Sequence, residues 1–115
     1  MFLPLQLAAA RALNLPSSWY KDLNLVYSNR RELVWEILDQ IKAKYYKGQN
    51  GMFVWAKVGE NFNNGEDLSN HFLYKSRIFI TPGFVFGENG EKYIRISLCT
   101  NEIKLKEALN RLKNI

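Results

Sequence analysis

Arg95 stands in the middle of Tyr93-Ile94-Arg95-Ile96-Ser97-Leu98-Cys99. Alternation along this run puts Ile94, Ile96 and Leu98 on one face of a strand, and Tyr93, Arg95, Ser97 and Cys99 on the other. An arginine at the centre of a strand calls for an anion. Its planar fork of donors meets a carboxylate or a phosphate in a bidentate way that lysine cannot match. An edge strand facing water, or an internal ion pair, would accommodate the same residue without any ligand, and the strand alone leaves these alternatives open.

The other candidate groups are weaker. His71 is the only histidine, so any Ser-His-Asp or Cys-His arrangement must use it. It falls in a helical pattern beside Asn70 with no evident partner, and reads as a structural or surface residue. Cys99, the only cysteine, lacks an activating motif and is expected to pack in or near the core. A single cysteine excludes an internal disulfide and a cysteine-based zinc site, and fits a reducing, cytoplasmic compartment. Gly83, Gly87 and Gly90 imitate a phosphate-binding loop, but their spacing is wrong and they do not open a helix after a strand; turn geometry is the better reading. The acid pairs Glu36/Asp39 and Glu88/Glu91 read as solvated charges. No catalytic, metal-ligating or cofactor-binding residue is assigned, and Arg95 is the one candidate binding residue.

The elements that must position Arg95 follow from periodicity. Pro4 opens a short helix, with Leu5, Ala8, Ala9 and Leu13 available for one face; so short a helix must pack on something. Asn14 to Ser18 breaks it, and a long helical pattern runs on to about Tyr46, with Leu33, Val34, Ile37, Leu38, Ile41 and Tyr45 as its apolar stripe. At about 42 Å such a helix would bridge two bodies or kink near Asn24. Lys47 to Gly51 is a turn, and Met52 to Val58 is a strand rich in β-branched and aromatic residues. Glu66 to Tyr74 is helical, with Leu68, Phe72 and Leu73 on one side. Arg77 to Thr81 is a short strand stopped by Pro82-Gly83, and Gly87 to Gly90 turns the chain toward the last strand. Thr100 or Asn101 caps a final helix over about Glu102 to Leu112. The order α-α-β-α-β-β-α specifies an α+β fold, a small, mainly antiparallel sheet covered by helices and led by a long N-terminal helix. We divide the single domain into a helical segment, 1–46, and an α+β unit, 47–115.

Composition sets the outer bounds. At 115 residues with 47% hydrophobic residues, the chain buries one real core, and low-complexity, collagenous or disordered classes are excluded. No apolar run approaches the roughly 18 residues of a membrane span. The N-terminal MFLPLQLAAA lacks a basic residue ahead of its apolar stretch, and Pro4 and Gln6 interrupt it, which argues against a secretory signal. The net charge of +5 admits nucleic-acid binding through Arg30, Arg31 and exposed aromatics, although the cations are scattered.

Taken together, the segments resemble the C-terminal, small domain of a class I/II, fold type I aminotransferase, nearest to the aspartate and LL-diaminopimelate aminotransferases. Gln6 to Ala10 and Ala12-Leu13 begin the resemblance, followed by Trp19-Tyr20. Tyr27-Ser28-Asn29-Arg30-Arg31-Glu32 is similar to the family's "Y..RR" segment on its interdomain helix, and Gly51 to Lys57 to its "G..YvWak" strand. Thr81-Pro82-Gly83-Phe84-Val85-Phe86-Gly87, then Gly90 to Leu98, is similar to "PG..FG..G..y.RiSl" and is the most specific piece. Phe84 is bulky where the family often has a small residue, and Cys99 stands where alanine is common.

The resemblance implies that Arg95 makes the bidentate salt bridge to the substrate α-carboxylate, with Gly83 and Gly87 shaping the turn that brings its strand to the active site. It implies pyridoxal 5'-phosphate in the full-length enzyme, amino-acid and 2-oxo-acid substrates, a large domain as the missing partner, a homodimer, and no nucleic acid or membrane. The family's Schiff-base lysine and the aspartate at the pyridine nitrogen have no match in this sequence. The 115 residues are therefore not expected to transaminate unaided. A free-standing basic α+β interaction module, binding nucleic acid, is the alternative reading.

Overall fold

A computed structural model describes residues 1–114. Helix α1 spans Leu3–Leu13 with Pro4 in its first turn, where the missing N–H costs no bond. Helix α2 follows over Ser17–Gln40 without interruption, about 36 Å long. Its second half buries Val34, Ile37 and Leu38, while α1 buries no residue at all. Phe2, Leu3, Leu5, Leu7, Leu13, Leu23 and Leu25 are consequently exposed, and the projecting arm gives the molecule a long axis of 49 Å against 30 and 25 Å.

The long helix stops six residues before the expected Tyr46. Lys42 adopts a left-handed conformation (φ 56°), and the chain turns into a short edge strand, β1, Lys44–Tyr45. The cause lies in the ambiguity of Ile41, Ala43 and Tyr45, which continue the helical stripe only loosely but fit a period of two as well. The ladder to the next strand decides, pairing Lys44 with Lys57 and Tyr45 with Ala56.

The sheet has four strands in the order β1-β2-β4-β3, every neighbour antiparallel. Strand β2 is Phe53–Lys57, β3 is Thr81–Pro82 and β4 is Tyr93–Ser97. The expected strand over Arg77 to Thr81 shortens to its last residue plus Pro82; residues 78–80 lie outside the ladder. Proline fits there because β3 lies at the edge, where its missing N–H breaks no bond.

Two capped helices complete the fold. Helix α3, Gly65–Ser76, is opened by Asn64, whose side chain accepts from Asp67 N–H at 2.8 Å. It closes on Arg77 in the left-handed region, with Arg77 N–H bonded to Leu73 C=O and Ile78 N–H to Phe72 C=O. Helix α4, Glu102–Lys113, takes Asn101 as its cap, accepting from Lys104 N–H at 3.0 Å. One core unites Val34, Ile37 and Leu38 of α2, Leu68 and Phe72 of α3, and Leu105, Leu109 and Leu112 of α4 against Val54, Ala56, Ile94 and Leu98. The helices thus cover one face of the sheet. No helix among the described residues is long and apolar enough to cross a membrane.

Candidate functional site

Register across β2 and β4 pairs Trp55 with Arg95, Phe53 with Ser97 and Lys57 with Tyr93. Directly opposed residues share a face, and alternation places these six on the side away from the core residues Val54, Ala56 and Ile94. This face therefore carries Arg95 among aromatic side chains, with no acid at its strand positions.

The guanidinium of Arg95 lies over two rings. Its Cζ is 4.2 Å from the centroid of Phe53 and 3.7 Å from that of Phe86, both inside cation–π range. Phe86 itself meets Trp55 edge-on at 5.5 Å, and Trp55 meets Tyr93 at 6.5 Å. Phe53 thus stands toward the Ser97 end of β4, while Phe86 and its aromatic neighbours stand toward the Tyr93 end. Arg95 itself lines a cavity of about 230 Å³ together with Thr81, Ser97, Thr100 and Lys104, while an open groove of about 440 Å³ is bordered by its aromatic neighbours Trp55, Phe86 and Tyr93.

Among the described residues, no protein anion meets Arg95. The ion pairs among the described residues are Lys44–Glu60 and Arg111–Glu107, both on the surface. Arg30, Arg31 and Arg111 donate to protein acceptors; Arg95 does not. β4 is an inner strand and not an edge, and no ion pair to Arg95 forms among the described residues. A half-buried fork with unused donors and an aromatic surround can take a carboxylate in its plane.

Close backbone contact brings Phe86 to this position. Residues Gly83–Phe86 and Glu88–Gly90 form two successive 3₁₀ turns, joined at Gly87 (φ 126°). A Cβ on Gly83 would collide with the Gly90 carbonyl oxygen and lie 2.8 Å from that of Tyr93; one on Gly90 would collide with Gly83. The loop can lie flat on the start of β4 only because both positions lack side chains. Its N–H groups turn inward, Gly87 to Phe84 C=O, Gly90 to Gly87 C=O and Glu91 to Glu88 C=O, so the glycines serve turn geometry and not phosphate binding.

The remaining candidates find plainer roles. Arg30 Nη1 donates to Leu98 C=O at 2.9 Å, and Arg31 Nη2 donates to Gly51 C=O at 2.7 Å. Both arginines thus tie α2 to the ends of the two central strands, an internal use that the sequence pattern did not reveal. His71 packs edge-on against Phe62 and Phe72 at 5.3 and 5.1 Å. Cys99 is exposed, contrary to expectation: β4 ends at Ser97, so strand alternation does not reach it, and it sits in the turn before α4. Glu36, Glu88 and Glu91 are exposed, and Asp39 accepts from Tyr45 Oη–H at 2.8 Å. No cluster of acids, histidine and cysteine among the described residues could hold a metal. Gln49 was not anticipated; its side chain bonds the backbone of Trp55 on both its N–H and C=O.

Comparison with known proteins agrees with this architecture. The family model for aminotransferase class I and II matches residues 2–112. The LL-diaminopimelate aminotransferase of Halothermothrix orenii is 40% identical over 99% of this chain, and the aspartate aminotransferase of Pyrococcus abyssi is 30% identical over 96%. Among solved structures, an aminotransferase from Staphylococcus aureus superposes with a TM-score of 0.78 at 32% identity, covering 99% of this chain and 30% of its own. Substrate-bound BacF from Bacillus subtilis gives 0.80 at 28% identity, covering 99% of this chain and 29% of its own. The chain spans about 29% of the length of both sequence relatives. By its family match, its relatives and its fold, this chain belongs to the class I and II aminotransferases.

Proposed function

We propose that the chain acts as the small domain of a pyridoxal-phosphate-dependent aminotransferase, in which Arg95 binds the α-carboxylate of the amino-acid or 2-oxo-acid substrate. The observation that carries this reading is the arginine itself, on an inner strand, against two aromatic rings, with no carboxylate among the described residues to neutralise it. Nature of the charge favours the same reading: Lys44 and Lys57 share its face, so an arriving anion meets a positive surface.

The family implies pyridoxal phosphate, which supplies an electron sink in a full-length enzyme. The residues of this chain do not fit that group by themselves. The open face has no acid at its strand positions to meet a pyridine nitrogen, and the glycine turns spend their N–H groups internally. The part assigned here is therefore the carboxylate grip. Arg95 fixes one end of the substrate, and its geometry orients the α-carbon relative to groups on the large domain. A homodimer and amino-acid and 2-oxo-acid substrates belong to the same proposal. The exposed apolar arm, with Leu3, Leu5, Leu7, Leu23 and Leu25, would then be covered by the large domain.

Arg95→Lys in the enzyme that carries this chain is the test. The point charge is kept and the bidentate fork is lost, so KM should rise for monocarboxylic and dicarboxylic substrates alike. Unchanged kinetics would remove the proposal.

A further inference from the structure

We propose that Phe53 and Phe86 are positioning residues that hold the Arg95 guanidinium in one orientation, faces against the rings and edge open to a carboxylate; this rests on the carboxylate-binding reading above. An arginine side chain is long, and its many rotamers would each present the donor fork differently. Two features of the fold restrict it. Phe53 comes from the neighbouring strand β2, with its centroid 4.2 Å from Cζ, and Phe86 comes from the loop between β3 and β4, at 3.7 Å. One ring therefore reaches the guanidinium from the strand beside its own and the other from the loop that leads into its own strand.

The rings are not core residues that happen to lie close. Phe53 and Phe86 are 36% and 45% exposed, and neither belongs to the buried cluster behind the sheet. Large aromatic surface left open beside a cation is a cost unless the arrangement serves something. Aromatic faces attract the cation while accepting none of its N–H groups in-plane, so the donors stay available. An ion pair with Asp or Glu would have fixed the arginine equally well but would have occupied the fork. Phe86 is itself placed by the Gly83–Gly90 contact and braced edge-on by Trp55, so this ring depends on a loop built for close approach.

Nuclear magnetic resonance on the 115-residue chain tests this with acetate as probe. In the wild type, the Arg95 side-chain protons should be shifted upfield by the ring currents, and its Nε–H signal should respond saturably to acetate. Arg95→Gln should abolish the acetate response. Phe86→Leu keeps bulk and apolarity but removes the ring; it should reduce the upfield shift and weaken acetate binding about threefold, the range expected of one exposed cation–π contact. Phe86→Tyr should restore both. A threefold loss shared by Leu and Tyr, or no change with Leu, would overturn the positioning role. An acetate response that is absent in the wild type or survives Arg95→Gln would instead overturn the carboxylate reading on which it rests. Backbone spectra that match the wild type separate these outcomes from misfolding, and the exposure of Phe86 makes such a match the expected result.

Discussion

The side-chain amide of Gln49 brackets the backbone of Trp55: its Oε1 accepts from Trp55 N–H and its Nε2 donates to Trp55 C=O, each at 2.7 Å. Strand β1 pairs with β2 only at Lys57 and Ala56, and its ladder ends before Trp55. The glutamine therefore substitutes for the next residue of a neighbouring strand. It satisfies both polar groups of the residue directly opposite Arg95.

Gln49→Ala removes both bonds. A loss of about 1–2 kcal/mol in unfolding free energy is expected, read from the shift in urea midpoint. Amide hydrogen exchange should accelerate at Trp55 and leave Val54 unaffected, because Val54 pairs with Ile96 on the inner side. Equal protection of Trp55 in both proteins would show that the glutamine is ornamental.

Gly83→Ala places a methyl group against the Gly90 carbonyl. The loop must lift from β4, and a cost of about 1–3 kcal/mol follows from the overpacking. Because Phe86 rides on that loop, its edge contact with Trp55 at 5.5 Å should open, changing Trp55 fluorescence. A wild-type melting temperature and spectrum together would contradict the close-approach argument.

Arg30 and Arg31 are brackets between α2 and the sheet. Arg30→Met and Arg31→Met should each destabilise the chain by about 1.5–3 kcal/mol, the range for a hydrogen bond from a charged donor. Neither should alter salt-dependent retention on nucleic acid. Variants that remain fully stable but lose such retention would revive the nucleic-acid reading.

Tyr45 carries a pH dependence. Burial, then the hydrogen bond to Asp39 and the negative charges of Asp39 and Glu32, push its phenol up to about 12. The folded state therefore favours the neutral phenol more than the unfolded chain does, where tyrosine titrates near 10. This contribution is fully present below about pH 10 and is lost as pH rises through about 12. Tyr45→Phe should make stability less steeply dependent on pH across that window. In an absorbance titration, one of the six tyrosines should ionise late in the wild type and be missing from the variant.

Much of the architecture was legible because it depends on local chemistry. Pro4 and Asn101 mark helix starts, Leu105, Leu109 and Leu112 mark a face, and Tyr93 to Ser97 alternates as a strand must. Arg95 could be picked out on the same ground, since a strand arginine between isoleucines needs an explanation. The family-like motifs around it pointed to a carboxylate as the expected ligand, and the family match agrees with the resemblance that carried this expectation.

Other facts depended on distance in space between residues far apart in sequence. Ile41, Ala43 and Tyr45 suit helix or strand equally, and only the pairing of Tyr45 with Ala56 settles the choice. Cys99 is exposed because β4 ends two residues earlier and the chain turns there toward the start of α4 at Glu102. The rings on Arg95 come from positions 53 and 86, and the carbonyls held by Arg30 and Arg31 from positions 98 and 51. Sequence by itself marked the four helices and the two central strands and singled out Arg95, because propensity and periodicity act over a few residues. Tertiary structure alone decided that no anion comes from elsewhere in the described chain and that two aromatic rings stand in its place, because only packing brings such distant groups within 5 Å.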